Sequence, residues 1–529
     1  MGILDESSVA GQFVMPEVAT PGLLAEAWAG GVEVAGARTL VVTLWDTFEW
    51  GIWHGGHVLL SVGASFRLCR REGGWIGAEV SGEEISGPKP RMARDFSNPA
   101  MREALGPMLG LRGLAAVGSA RLRSRHAEFR NAAGKIVCRV EWVDVFRHGR
   151  EADPVASFAG VRPLRGYEHD AEAVAEVIRA NGGSSTGQGP LDAILRVAGH
   201  IPRVYTLRPV AGLEAGMSAR SAVCRIARGI FPIIVENERR IPDDLDTEFL
   251  HDYRICLRKL RSLLSLMKGV FPDEATEGLR GVLGALARET NRLRDLDVCL
   301  LAREEYTELL PPVLREGVGG MFGDYEMERA AQFKKVASRL RSSAHRQRME
   351  SVGAFFENEA DHGPSEGADV PVGPLAFRRI YRRYRKIRGI ADTLGVETPD
   401  EAVHALRIEC KKLRYLMEFF SELVPGNEAD AMEKALRRLQ NRLGQFNDYS
   451  VQQRSLIAYW KNRKGRAAEA PGLPLAVGGL ISVLYQRQQE QRGEIQEGLD
   501  GFCSGATAAA FKRVFKLPVQ SGPAEGSGS

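Results

Sequence analysis

The sequence lacks long apolar runs and paired cysteines. No stretch approaches the roughly 18 uninterrupted apolar residues that a membrane-spanning helix needs, and the first residues do not show the order of a signal peptide. The seven cysteines are scattered, and no two of them have the CxxC spacing. This pattern is typical of reduced thiols in a cytosolic protein. We therefore expect a cytoplasmic protein that does not bind membranes.

Strong net charge is also missing. The 529 residues contain 71 Lys and Arg against 67 Asp and Glu, which leaves a formal charge of +4. The total charge therefore does not identify a partner, whereas a local surface of one sign can still attract an anion. The length exceeds what one hydrophobic core usually accommodates, and we expect two domains.

The hydrophobic pattern changes along the chain. From residue 36 to about 147, short runs alternate between apolar and polar residues, which predicts antiparallel strands in a sheet, closed barrel or half-barrel. Helical spacing interrupts this pattern around 98–109 and returns after Gly166. From Met217 onward the period is 3.6, which predicts a helical bundle and an α+β protein overall. The predicted divisions are a β domain at 1–182, a linker at 183–214, a helical domain at 215–515 with repeats at about 217–360 and 370–515, and a disordered tail at 516–529.

The helical half contains an internal repeat. The segment HDYRICLRKLRSLL begins at His251 and HALRIECKKLRYLM begins at His404, an offset of 404 − 251 = 153 residues. The same offset places Asp295 on Asp448, and LRDLDV on FNDYSV, without a gap. This agreement indicates a tandem duplication of one helical unit.

Each repeat has a basic stripe. On an α-helix, residues at i, i+3, i+7 and i+10 share one side, and leucines occupy the opposite side. Like charges one turn apart repel by a few tenths of a kcal/mol, and few acids are interleaved to reduce that repulsion. A phosphate polyanion would remove it, and guanidinium groups match phosphate oxygens bidentately. The stripe residues are His251, Arg254, Arg258 and Arg261 in the first copy and His404, Arg407, Lys411 and Arg414 in the second.

Further cations extend this character. The segment RRIYRRYRKIR is especially basic, and Lys259 and Lys412 lie at the stripe edges. Two questions remain open. The stripes are either solvated faces or a binding surface, and the histidines either cap and pack the helices or contact the ligand. The recurring Asp295 and Asp448 either ligate a metal or orient neighbouring arginines. The additional predicted binding residues are Arg294, Arg378, Arg382, Arg385 and Arg442.

These repeated segments resemble the CHAD family, over about residues 215–515. The resemblance implies two four-helix units related by a pseudo-twofold axis, with a basic channel or surface that binds inorganic polyphosphate. In some members it also implies targeting to polyphosphate granules. Carried over by position, the two histidine-containing segments with Lys259 and Lys412 become the binding set.

The first domain resembles a degenerate CYTH domain, a family that has the triphosphate tunnel fold. LWDTFEW from Leu44, followed by HGGHVLL, and RLRSRHAEFRNAAGKIVCRVEWVDVFRHG carry the resemblance. Active members have a Glu-x-Glu-x-Lys strand that holds divalent metal, whereas GQFVMPEVATPG has only Glu17 and no Lys. Glu79, Glu128 and Glu141 are isolated candidates. We expect neither metal nor cofactor, except for a divalent metal if this domain is active.

Three functions remain in competition. The leading hypothesis is non-catalytic binding of inorganic polyphosphate, with granule association and with polyphosphate-metabolising enzymes or granule proteins as possible partners. The second is an inorganic triphosphatase in which the helical domain tethers substrate. The third is nucleic-acid binding, which is disfavoured because the stripes offer little for base stacking beyond Tyr381, Tyr384 and Tyr415.

Overall fold

The computed structural model describes residues 11–16, 20–147, 153–395, 398–424, 426–462 and 472–516. The chain divides into two compact units between Tyr205 and Thr206, called here the N-terminal unit and the C-terminal unit. The predicted tail falls almost entirely outside the described residues.

An antiparallel sheet dominates the N-terminal unit, as the alternating pattern predicts. Runs of β-branched and aromatic residues form most of its strands because such side chains pack well on a pleated surface. The strands are β1 Gly11–Met15, β2 Val32–Val34, β3 Arg38–Thr47, β4 His57–Val62, β5 Ser65–Glu72, β6 Trp75–Glu84, β7 Leu114–Arg130, β8 Ile136–Phe146, β9 Ala156–Pro163 and β10 Ser184–Ser185.

The sheet is open. Its strands follow the order β10-β1-β9-β8-β7-β3-β4-β5-β6, and β2 pairs with β7 beside this path. Within the described part of the chain, no pairing joins β6 at one end to β10 at the other. Of the predicted alternatives, the closed barrel is therefore not confirmed, since closure requires the two edge strands to pair.

The side chains of strand β8 show which helices cover the two faces of the sheet. Val140 and Trp142 pack in one core cluster with α4 (Glu168–Ala180), whereas Val143 and Val145 pack in another with α5 (Pro190–Val197). Successive side chains of a strand point to opposite faces, so both faces of β8 are buried. The other helices of this unit are α1 Pro21–Ala27, α2 Gly51–His54 and α3 Pro99–Leu109, the last confirming the helix expected around 98–109.

The segment predicted as a linker contains ordered structure. Helix α5 begins inside it and contributes Leu191 and Ile194, both fully buried, to the core of the N-terminal unit. Residues 207–213 belong instead to the C-terminal unit, where their backbone is held by side chains of the helices. The apolar residues of 190–197 have helical spacing, which accounts for this helix.

Helices dominate the described part of the C-terminal unit, as the 3.6 period predicts. Proline precedes or begins several of them. They are α6 Ala219–Arg240, α7 Glu248–Leu266, α8 Asp273–Glu289, α9 Asn291–Leu301, α10 Arg303–Glu308, α11 Pro312–Arg315, α12 Gly319–Leu340, α13 Ser343–Glu357, α14 Val372–Ala391, α15 Asp400–Phe419, α16 Gly426–Asn462, α17 Gly472–Cys503 and α18 Gly505–Phe515.

The helix starts follow the sequence repeat. Helices α14, α16 and α17 begin at the positions that match the starts of α6, α8 and α12 at the offset of 153, and α15 begins within one residue of the match to α7. Among the described residues, no helix has the length and apolar character needed to cross a bilayer.

Helices α7 and α15 pack together and present the two basic stripes. Leu257, Leu260 and Leu264 of α7 are at most 1% exposed, as is Leu413, the α15 residue that matches Leu260. Their burial fixes the rotation of each helix and therefore the direction of its stripe.

We predict that Leu260→Ala lowers the free energy of unfolding by about 2–5 kcal/mol, because it removes buried methyl groups and leaves a cavity. Urea unfolding followed by circular dichroism measures the change. Leu475→Ala on α17 is the matched control, since Leu475 is 66% exposed and should change stability by less than about 0.5 kcal/mol. Equal effects of the two substitutions would contradict the packing described for α7.

Candidate functional site

The stripes of α7 and α15 meet around Arg258. The charge of this residue reaches both Arg407 and Lys411 of α15 and contributes to lowering their pKa values. Burial is the largest cause in both cases, and Arg414 adds to the repulsion. Cations from the two sequence repeats therefore share one electrostatic environment.

Lys411 shows how strong this crowding is. Burial, followed by the charges of Arg407, Arg258 and Arg414, lowers the pKa of its ammonium group from 10.5 to about 8. Asp448 opposes the shift but does not cancel it. A lysine with this pKa is poised to lose its proton just above neutral pH, and a nearby anion would restore the charge.

Other predicted residues join this cluster from the α7 side. Arg254 donates from Nη1 to the Ala287 carbonyl and to Thr290 Oγ1, each at 2.7 Å, which ties α7 to the end of α8. Burial lowers its pKa, and Arg258 and Arg294 lower it further. We call the set Arg254, Arg258, Arg294, Arg407, Lys411 and Arg414 the α7/α15 cluster.

Carboxylates near this cluster are few. Asp448 lies 3.6 Å from Arg407 in a pair whose carboxylate side chain is 65% exposed. Desolvation raises the pKa of Asp295, although Arg254 and other arginines oppose the shift. Glu248 lies 3.7 Å from Arg294. Among the described residues, no group of three or more His, Cys, Asp and Glu side chains could hold a metal ion.

Two arginines each have a buried Nε–H group that donates no hydrogen bond within the described part of the chain. The Nε atoms of Arg407 and Arg414 are buried and have no hydrogen-bond partner among the described residues. Arg414 also lies over the ring of Tyr415, with 5.4 Å between the guanidinium carbon and the ring centroid. Buried donors without an acceptor are destabilising, so an anion at this position would be stabilised by them.

Two other predicted residues, Lys259 and Lys412, form ion pairs with carboxylates. Lys259 is only 4% exposed, donates to the Leu207 carbonyl at 2.6 Å and forms an ion pair with Glu418. Lys412 pairs with Glu409 at 2.9 Å. Lys259, which the sequence placed at the stripe edge, is therefore held inside the unit by Glu418 rather than exposed beside the stripe.

The remaining predicted residues occupy separate places. Arg442 donates to the Glu494 carbonyl and lies 3.2 Å from Glu497, so it is bound to α17. Arg261 and Arg385 are exposed, and the His404 ring lies 2.8 Å from the Asn447 side-chain oxygen. The structure leaves His251 partly buried on α7.

A second basic concentration surrounds α14. Arg378 and Arg382 line a cavity of about 480 Å³, together with residues that the sequence did not select as a site. Continuing the α7 stripe beyond Arg261 leads to Ser265 and Lys268, which also line it, so this extension was available from the helical period. The full lining, here called the α14 pocket, is Ser265, Leu266, Lys268, Leu375, Arg378, Arg379, Arg382, Arg383, Lys386 and Leu416.

The N-terminal unit uses its charged residues differently. Asp144, 2% exposed, accepts from Arg123, Arg125, Trp142 and Ser157 at 2.7–3.0 Å. Burial opposes its ionisation, but these hydrogen bonds and charges hold its pKa below the usual range. Arg123 and Arg125 of β7 are thus engaged by one carboxylate.

The candidate glutamates of this unit are dispersed. Glu17 lies outside the described residues, Glu79 pairs with Arg67 at 3.4 Å, and Glu128 contacts Arg130 and Arg139. Burial raises the pKa of Glu141 to about 7, although Arg162 opposes the shift. A carboxyl group that is partly protonated at neutral pH is a poor ligand for a divalent metal.

Comparisons with known proteins concern mainly the helical half. A family model described as CHAD domain matches residues 225–456, which lie within the range that the sequence repeat predicted. Two uncharacterized proteins from two strains of Mycobacterium tuberculosis are each 25% identical over 260 residues, or 47% of this chain. The chain spans less than half of the length of these relatives, 46%.

Solved structures give matches of similar extent. The crystal structure of the CHAD domain from the plant Ricinus communis is 25% identical, with a TM-score of 0.46, and covers 56% of this chain and 96% of that chain. PptA from Streptomyces chartreusis is 17% identical, with a TM-score of 0.38, and covers 55% and 99%. Together, the repeated histidine segments on α7 and α15 and the matching family model lead to one conclusion: residues 225–456 of this chain are a CHAD domain.

Proposed function

We propose that the C-terminal unit binds inorganic polyphosphate without catalysis, through the α7/α15 cluster. The observation that carries this proposal is the position of Arg258 beside Arg407 and Lys411, where cations of both repeats repel one another and Asp448 offsets only part of the repulsion. A row of phosphates would convert this repulsion into attraction. The buried Nε groups of Arg407 and Arg414 supply donors for its oxygens.

The duplication supports a polymeric ligand. We infer that α6 to α13 and α14 to α18 derive from one duplicated helical bundle, because their helices start at matching positions. Each copy contributes one stripe, so the ligand meets cations along two helices rather than at one point. Polyphosphate repeats the same charged group along its length, which suits such an extended site. Association with polyphosphate granules would follow from this binding.

Base stacking receives little support. Of the three tyrosines near the basic segments, Tyr384 is 2% exposed and stacks on Phe511 with ring centroids 4.0 Å apart. Tyr415 is 5% exposed and stacks on Phe419. Rings buried in this way are not available to nucleic-acid bases, which favours a ligand made of phosphate alone.

For the N-terminal unit we propose a degenerate CYTH domain without triphosphatase activity. Of its candidate glutamates, Glu79 and Glu128 contact arginines and Glu141 is buried. Arg123 and Arg125 of β7 are engaged by Asp144. Metal-dependent phosphoryl transfer needs clustered carboxylates to hold the metal. The dispersed carboxylates favour a role in which this unit does not cleave phosphate.

Reversing two charges of the cluster should abolish binding. We expect Arg258→Glu with Lys411→Glu to weaken the affinity for long-chain polyphosphate by at least about 100-fold, since each lost contact to a charged group contributes about 1.5–3 kcal/mol. Fluorescence anisotropy with end-labelled polyphosphate measures the change.

The matched control is Lys334→Glu with Lys335→Glu on α12, which makes the same charge change at two exposed positions. The control should weaken binding by less than about tenfold. If both double variants lose binding equally, only the total charge of the unit matters and the cluster is not the site. If neither loses binding, the proposed function is wrong.

The pKa of Lys411 predicts a pH dependence. As pH rises from 7 to 9.5, Lys411 loses its proton, so polyphosphate affinity should fall through about pH 8. Lys411→Arg should remove most of this fall because arginine stays protonated. Without ligand, the unfolded chain holds this proton more tightly, so the free energy of unfolding should instead rise between pH 8 and 10.5. An equal loss of affinity in Lys411→Arg would contradict the assignment.

Hydrolysis separates the binding role from the enzymatic alternative. The full chain should release no phosphate from tripolyphosphate with Mg²⁺ or Mn²⁺ above the rate without protein, because its described carboxylates do not form a metal site. A colorimetric phosphate assay measures the rate. Release that disappears in Glu141→Gln would establish a triphosphatase and overturn the non-catalytic proposal.

A further inference from the structure

The α14 pocket is a second concentration of positive charge. It continues the α7 stripe at Ser265 and Lys268, but it lies on a different side of α15 from the α15 stripe. Leu416, which lines the pocket, is separated from Arg407, Lys411 and Arg414 by the helical period. The α14 pocket also contains none of the six residues of the α7/α15 cluster. Its volume of about 480 Å³ falls within the range of small-molecule sites, about 300–1,000 Å³.

Part of the pocket wall is held in place before any ligand arrives. Arg379 donates to the carbonyls of Leu266 and Lys268 at the end of α7, which otherwise lack intrahelical partners. Burial lowers the pKa of Arg379, and Arg382 and Arg378 lower it further. These cations of α14 therefore already repel one another before any ligand binds.

One carboxylate, that of Glu409, offsets most of the positive charge that is paired in the pocket. Glu409 is 5% exposed and is shared by Arg383, Lys386 at 3.2 Å and Lys412 at 2.9 Å. Lys268 lies 3.8 Å from Asp273, in a pair that is largely exposed and therefore weak. In the described parts of the chain, Arg378 and Arg382 form no ion pair, and both are exposed on α14. Positive charge thus remains in excess.

The corresponding positions of the first repeat are filled by the protein itself. At the offset of 153, Arg378 matches Arg225, which donates to the Gly212 carbonyl at 2.9 Å. Arg382 matches Gly229, where an added Cβ would lie 3.0 Å from Pro209. Ser265 matches Glu418, which binds Lys259 and lies 3.7 Å from Arg208. Segment 207–213 therefore covers the first copy of this groove and leaves the α14 copy as the one lined by cations.

We propose that the α14 pocket is a separate binding site for a compact cluster of phosphate groups, present once per chain. Arg379 and Arg383 are positioned by protein acceptors, and Arg378 and Arg382 are free to close on the ligand as bidentate donors. The phosphate cluster is either a short free polyphosphate or the terminus of a long chain. This site is distinct from the α7/α15 cluster proposed above for long-chain polyphosphate, because it uses other residues.

The test isolates the pocket in the full chain carrying Arg258→Glu and Lys411→Glu. Isothermal titration with tripolyphosphate at low salt should show one site per chain. Adding Arg378→Ala and Arg382→Ala should weaken that binding at least tenfold. Adding Lys512→Ala and Lys516→Ala instead removes two exposed cations from α18, which packs against α14, and should change it less than twofold.

Long-chain polyphosphate with free or chemically blocked ends identifies the source of the phosphate cluster. Binding that requires free ends indicates a chain terminus, whereas binding of tripolyphosphate alone indicates a short free ligand, and both support the site. Absence of all binding in the starting variant, or equal losses from the α14 and α18 substitutions, would overturn the proposal. Wild-type affinity for long chains is measured separately, so the α14 pocket can fail while the proposed function stands.

Discussion

Repulsion between partly buried cations is the constraint on which the arrangement of the C-terminal unit depends. The leucine faces of α7 and α15 pack into the core, and this packing brings Arg258 close to Arg407 and Lys411. The unfavourable charge contacts are retained because the hydrophobic burial of the two helices exceeds them. A lowered lysine pKa is the visible consequence of that balance. Such a site is stabilised by whatever anion enters it.

Buried carboxylates decide which cations belong to that site. Glu418 holds Lys259 inside the unit, and Glu409 holds Arg383 and Lys412. The two glutamates do not match each other across the repeat, since Glu409 matches Cys256 and Glu418 matches Ser265. The two repeats therefore share a helical plan but divide their charges differently, and one groove is covered while the other remains basic.

The N-terminal unit resolves its charges by internal pairing. Asp144 accepts hydrogen bonds from Arg123 and Arg125 of β7, and Arg162 lies 3.6 Å from the buried Glu141. Charges that are paired in this way are less available to a ligand than those of the α7/α15 cluster. Because the cations of the helices are less fully paired, we propose the binding role for the C-terminal unit.

The sequence by itself determined the helical repeat, the orientation of its stripes and most strands of the sheet, because these depend on local periods of 3.6 and 2 residues. It also located the CHAD domain. It did not predict β1, β2, β9 and β10, which lie outside residues 36–147, and it left sheet closure open. Only the tertiary structure decided that Lys259 is buried, that Arg442 is bound to α17, and that Arg379 and Lys268 share a pocket. The reason is that an ion pair such as Lys259 with Glu418 joins residues far apart in sequence, and no local pattern specifies which carboxylate a cation meets.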